Sequence, residues 1–150
     1  MRGQGSVEYL VLLAMVLIVA LIGVVLLGGL PIGSGEVARG ETLAYWTAVR
    51  PFSITDYAQS GSTVYITLVN RETQRLILQQ MQVGNVTGNF SPGWTIGPNS
   101  ARNISIGGMR PCNATTYTDY EYAVNITYDT ADISNRLQVG AKPLIGRCFT

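Results

Sequence analysis

Five asparagines in this 150-residue sequence stand in Asn-x-Ser/Thr sequons with x not proline: Asn85, Asn89, Asn103, Asn113 and Asn125. The carboxamide nitrogen of such an asparagine can take an N-linked glycan in an exported chain, and a sequon marks surface. The sequence holds eight asparagines, and 23 Ser and Thr among 150 residues would give about one such match by accident. Five matches read as enrichment by function; the competing explanation is a Thr-rich β domain that makes sequons by chance. Asn85 and Asn89 stand close enough to compete for the same enzyme, an oligosaccharyltransferase.

The second chemical pair is Cys112 and Cys148, the sequence's two cysteines. An even count in a chain that leaves the cytoplasm points to one disulfide, with two buried free thiols as the alternative. A bridge would close a loop of about 35 residues and contribute roughly 3–4 kcal/mol in the chain-entropy picture. The spacing is far from the Cys-x-x-Cys of a redox-active pair.

Other chemistry has little to stand on. The sequence has no histidine, the commonest metal ligand and general base. Its one lysine, Lys142, has no Gly-rich phosphate loop near it, and two cysteines do not make a Cys-cluster zinc site. Asp129 and Asp132 bracket Thr130 in an expected turn, weak support for calcium. No carboxylate pair stands out as catalytic, so neither an enzyme nor a cofactor is expected. Net charge is +1, 13% of residues are charged, and no basic stripe invites nucleic acid.

The third site is a single carboxylate, Glu8, set against an uncharged apolar run from Tyr9 to Leu30. Those 22 residues, at ~1.5 Å rise each, would cross the ~30 Å bilayer core as a helix. A secretory signal has a shorter core and a small-residue cleavage site behind it, and neither is found here. An acid beside such a run is costly and is usually paired or functional. Gln4 and Glu8 are four apart and share a helix face, near the end whose dipole favours an anion. The plainer reading makes Glu8 an interfacial residue at a helix start.

The pattern Gln4-x-Ser6-x-Glu8-x-x-x-Leu12, leading into the apolar run, resembles the class III signal region of archaeal type IV pilin precursors. The resemblance covers about nine positions. It implies that a prepilin peptidase cuts before the run, between Gly3 and Gln4, so that Gln4 becomes the N-terminus. Glu8 would then accept the new α-amino charge, from its own chain or a neighbour, and serve assembly. It also implies a homopolymeric helical filament at the cell surface, a pilus assembly platform as partner, and the membrane as anchor before assembly. Archaellins usually lack the Gln-x-Ser-x-Glu pattern, which favours an adhesive pilus. Two rivals stay open: a bacterial tight-adherence pseudopilin, and an extracytoplasmic binding domain that is anchored in the membrane and never polymerises.

The elements that must position these groups follow the same plan. Residues 28–35 break the apolar run with glycines and Pro31, as a bend or a flexible stalk. Residues 36–49 can be helical again, with Ser34 as N-cap and Pro51 as stop. Tyr45 and Trp46 are expected to dock this helix on the rest. From Phe52 the period changes to two. Val64, Ile66 and Leu68 alternate with Tyr65, Thr67 and Val69, and Tyr120–Asp129 alternates throughout. Residues 75–83, 102–106 and 136–139 are weaker strands, separated by clusters such as Ser91-Pro-Gly. The expected class is α+β: leader 1–3, one long hydrophobic helix over 4–50, and an antiparallel, immunoglobulin-like β-sandwich over 51–150.

Overall fold

Of the 150 residues, the computed structural model describes 4–28, 34–113, 115 and 119–149, with side chains at 7–23, 37–113, 115 and 119–148. The chain divides into two compact units, Met1–Ser34 and Gly35–Thr150.

The first unit contributes one helix, α1 (Gln4–Gly28, 25 residues). Thirteen large apolar side chains between Val7 and Ile22 are exposed, on every side of the helix. A helix apolar all round has no face suited to water. Its described side chains span 7–23, and among the described residues no helix is long and apolar enough to cross a membrane.

All but the first residue of α2 (Ser34–Ala48, 15 residues) belongs to the second unit. Thr42 and Trp46 are buried and Ala38, Leu43 and Val49 half-buried, the 3–4 spacing of a single docking stripe. Trp46 is fully enclosed and its Nε1 donates to Lys142 O at 3.0 Å, while Tyr45 Oη accepts from Ala141 N at 2.9 Å. Tyr45 and Trp46 thus fix α2 to the turn at 140–142. Gly140 is required there, because a Cβ would run into the Trp46 indole.

Among the described residues nine strands follow: β1 (Phe52–Ser60), β2 (Thr63–Asn70), β3 (Leu76–Val83), β4 (Val86–Ile96), β5 (Ala101–Gly107), β6 (Asp119–Tyr122), β7 (Val124–Asp129), β8 (Arg136–Val139) and β9 (Leu144–Phe149). They form a five-stranded sheet in the order β5-β2-β1-β9-β6 and a four-stranded sheet in the order β4-β3-β7-β8. Phe52, Ile54, Val64, Ile66 and Leu68 from the first sheet share one core with Leu76, Leu78, Met81, Val124 and Ile126 from the second. That is the packing of a β-sandwich.

The structure corrects the expected fold class. Among the described residues the chain is mostly β rather than α+β, and its helices are α1 and α2 in place of one long hydrophobic helix over 4–50. The reason is visible in α2, whose polar residues, Arg39 and Glu41 among them, leave only one stripe to bury. The bend or stalk expected at 28–35 falls largely on residues 29–33, outside the described residues, as does the leader 1–3. Nor are the sheets wholly antiparallel, since β1 and β9 pair in parallel through Gln59–Cys148 and Ser60–Phe149.

The segment Tyr120–Asp129 is two strands in different sheets. β6 pairs with β9 and β7 pairs with β3, with the crossing at Ala123, whose carbonyl accepts Gly84 N at 2.8 Å. Tyr120, Val124, Ile126 and Tyr128 remain buried on both sides of the crossing. Strands that change sheets at a sandwich corner keep their alternation, so the sequence pattern runs on unbroken.

Candidate functional site

The sequon asparagines are distributed over the β unit. Asn85 sits in the β3–β4 turn, after Gly84 at φ +57°, and is exposed. Asn89 and Asn103 are exposed on β4 and β5, each an edge strand of its sheet. Asn113 is exposed beside Cys112, and its Oδ1 accepts from the N–H (3.0 Å) and the Oγ1 (2.7 Å) of its own sequon's Thr115. Asn125 differs. It lies on the inner strand β7, half-buried, and its Nδ2 donates to Gln82 Oε1 at 3.4 Å.

Asn103 faces a hollow of about 300 Å³ on the outer surface of the five-stranded sheet. Strand register explains its shape. Asp56, Thr67 and Asn103 form one row across β1, β2 and β5, and Ala58, Tyr65 and Ser105 form the next. The small side chains of Ala58, Thr67 and Ser105 keep the floor low, while the ring of Tyr65, 52% exposed, stands beside it. Thr67 Oγ1 donates to Asn103 Oδ1 at 3.0 Å, which orients the carboxamide. A β-bulge between Ile54 and Asp56 turns the Asp56 side chain to this outer face. The sequence pattern had placed Tyr65 and Thr67 on one face, but their nearness to Asn103 and Asp56 depends on pairing across 36 residues and was not legible.

Cys112 and Cys148 form the disulfide, with Cα atoms 5.4 Å apart and a sequence separation of 36. Cys112 N donates to Gly61 O at 2.8 Å, and Cys148 pairs with Gln59 of β1. Gln59 itself is fully buried. Its Nε2 donates to Gly61 O (3.0 Å) and Arg110 O (2.8 Å), and its Oε1 accepts from Tyr122 Oη (2.8 Å). One glutamine thus satisfies three groups at the end of the sandwich that carries the bridge. Nothing local in the sequence marks it, because a buried glutamine is recognisable only by its partners.

Two tyrosines lie under this end. Tyr57 Oη donates to Ile145 O at 2.7 Å, and burial raises its pKa against the opposing charge of Arg39. Burial, reinforced by Tyr57, raises the Tyr120 pKa to about 12. The Tyr120 ring stacks on Tyr122 at 5.2 Å, so these side chains are core and not a surface-binding strip.

Glu8 is exposed on α1, and none of the ion pairs among the described residues involves it. Gln4 is the first residue of α1, while Gly3 and the Gln4 side chain lie outside what is described, so the expected cut and the Gln4–Glu8 pairing do too. Asp129 is occupied structurally: Oδ2 accepts from Gln79 Nε2 (2.6 Å) and Oδ1 from Asn135 N (2.7 Å). Among the described residues no group of three or more His, Cys, Asp or Glu could hold a metal ion.

Compared with known proteins, the chain matches no family model and no curated protein sequence.

Proposed function

We propose that this chain is a pilin-like structural subunit that polymerises through α1 into a cell-surface filament. The observation that carries the reading is the apolar surface of α1: thirteen large apolar side chains exposed around one helix. Such a surface calls for cover by lipid or by other apolar surface, since either removes it from water. Packing against α1 of neighbouring copies supplies it, and contacts that repeat without closing into a ring give an open filament. Before assembly the same helix would hold the precursor at the membrane.

In this reading a prepilin peptidase separates Gly3 from Gln4. Glu8 accepts the charge of the new α-amino group, and the β unit forms the outer surface with glycans on its sequon asparagines. A peptidase, an assembly platform and an oligosaccharyltransferase are the partners, and surface adhesion is the task. The chain's own role is assembly, not catalysis.

Electron microscopy of material sheared from cells, with mass identification of the chain, tests this. Filaments containing the wild-type chain are expected, and Leu17→Glu, which places a charge midway along α1, should abolish them. A chain found only as single membrane-held copies would refute the filament and favour an anchored extracytoplasmic domain.

A further inference from the structure

We propose that the hollow beside Asn103 is the seat of the first sugar of an Asn103-linked glycan, held against the ring of Tyr65. The inference rests on the glycosylated, exported state put forward above and goes beyond it by assigning one sequon a binding surface.

Three observations meet here. Asn103 borders a hollow of about 300 Å³, at the small end of ligand-sized clefts. Tyr65 is the exposed aromatic of this face and sits diagonally from Asn103, because Tyr65 pairs with Ser105 and Thr67 with Asn103. Diagonal neighbours on one sheet face are ~7–8 Å apart, within reach of an aromatic side chain. Asp56 closes the far end of the row, two strands from Asn103, or roughly 10 Å at ~4.8 Å per strand. A sugar ring joined to Asn103 Nδ2 and laid over Thr67 would fill that span. Its apolar C–H face would rest on Tyr65, and a hydroxyl would donate to the Asp56 carboxylate. Thr67 Oγ1 holds Oδ1, which leaves the carboxamide turned in one sense.

The attachment itself needs a lipid-linked oligosaccharide as donor. The Nδ2–C1 bond forms, the C1–O bond to the lipid phosphate breaks, the phosphate leaves with the bonding pair, and the Nδ2 proton passes to a base. Asn85 has a different surround. The hollow beside Asn85 is flanked by Arg110 and Glu121, and its tyrosine, Tyr122, is half-buried and stacked on Tyr120.

The test uses the full chain purified from its glycosylating host, as wild type, Asn103→Gln, Tyr65→Ser and Asp56→Asn. Peptide mass reads occupancy at Asn103, thermal unfolding reads stability, and proton NMR reads the first sugar. Expected are an occupied Asn103, upfield ring-current shifts on that sugar, and a melting temperature a few degrees above that of Asn103→Gln. In Tyr65→Ser, with Asn103 still occupied, the shifts should vanish and the stability gain fall away. An occupied Asn103 whose sugar shows no ring-current shift overturns the seat. So does an empty Asn103 beside occupied neighbours, which leaves glycosylation standing. A chain without glycan at any sequon overturns both.

Discussion

Gln138 holds both backbone polar groups of Phe52. Its Nε2 donates to Phe52 O at 2.8 Å and its Oε1 accepts from Phe52 N at 3.0 Å, across 86 residues and between the two sheets. Phe52 is fully buried and Gln138 nearly so, and the side-chain amide stands where a neighbouring strand's peptide would. Gln138→Leu keeps the volume and removes both bonds. It should cost about 2–6 kcal/mol, since two buried groups are left unpaired at ~1–3 kcal/mol each. Urea unfolding measures this, and a loss below ~0.5 kcal/mol would deny the pairing its role.

The bridge between Cys112 and Cys148 closes a separation of 36 residues and pins β9 beside β1. The double variant Cys112→Ser, Cys148→Ser is expected to lose roughly 3–4 kcal/mol in the chain-entropy picture. Comparing its unfolding with that of the oxidised wild type reads the loss directly.

Alkaline pH should destabilise the β unit through Tyr120. Burial raises its folded pKa to about 12 from the model-compound value of 10.0. The folded state therefore keeps a proton that the unfolded chain gives up. The contribution is complete below pH 10 and is lost as pH rises towards 12. The buried Tyr120 hydroxyl has no hydrogen-bond partner among the described residues. Tyr120→Phe should therefore hold or raise stability at neutral pH, by up to ~1 kcal/mol, and flatten the alkaline decline. Unfolding curves between pH 8 and pH 12 check both.

How much of this was legible depends on the range of the contacts involved. Local alternation found the strand around Val64–Val69 and the Tyr120–Asp129 segment, because a buried face repeats every second residue. It did not show the crossing at Ala123, since a strand that changes sheets keeps its inward face. β4 was hidden by its own residues. Ser91, Pro92 and Gly93 read as a turn, yet they lie within an edge strand, where a missing N–H is tolerated, and bulge out opposite Gln79. The disulfide was legible from cysteine count. Gln59, Gln138 and the Tyr65–Asn103 neighbourhood were not, because their partners are brought in by strand pairing. Tyr45 and Trp46 were legible as the dock of α2, since both are aromatic and stand near the end of the helix, but their partners at Ala141 and Lys142 were not, because these lie 96 residues on.

Sequon occupancy should follow the surface. Asn85, Asn89, Asn103 and Asn113 are exposed, whereas Asn125 is half-buried with its Nδ2 engaged by Gln82. In a chain modified after folding, Asn125→Gln is expected to leave the intact mass unchanged apart from the substitution. Loss of a full glycan mass in Asn125→Gln would show modification before β7 pairs with β3.

The central claim is processing before α1, with that helix kept for assembly. Intact-mass and N-terminal peptide analysis of the chain taken from cell-surface material tests it most directly. The account expects a chain that begins at Gln4, without Met1, Arg2 and Gly3, recovered with the filaments. A surface chain that retains Met1 and stays with the membrane would contradict it.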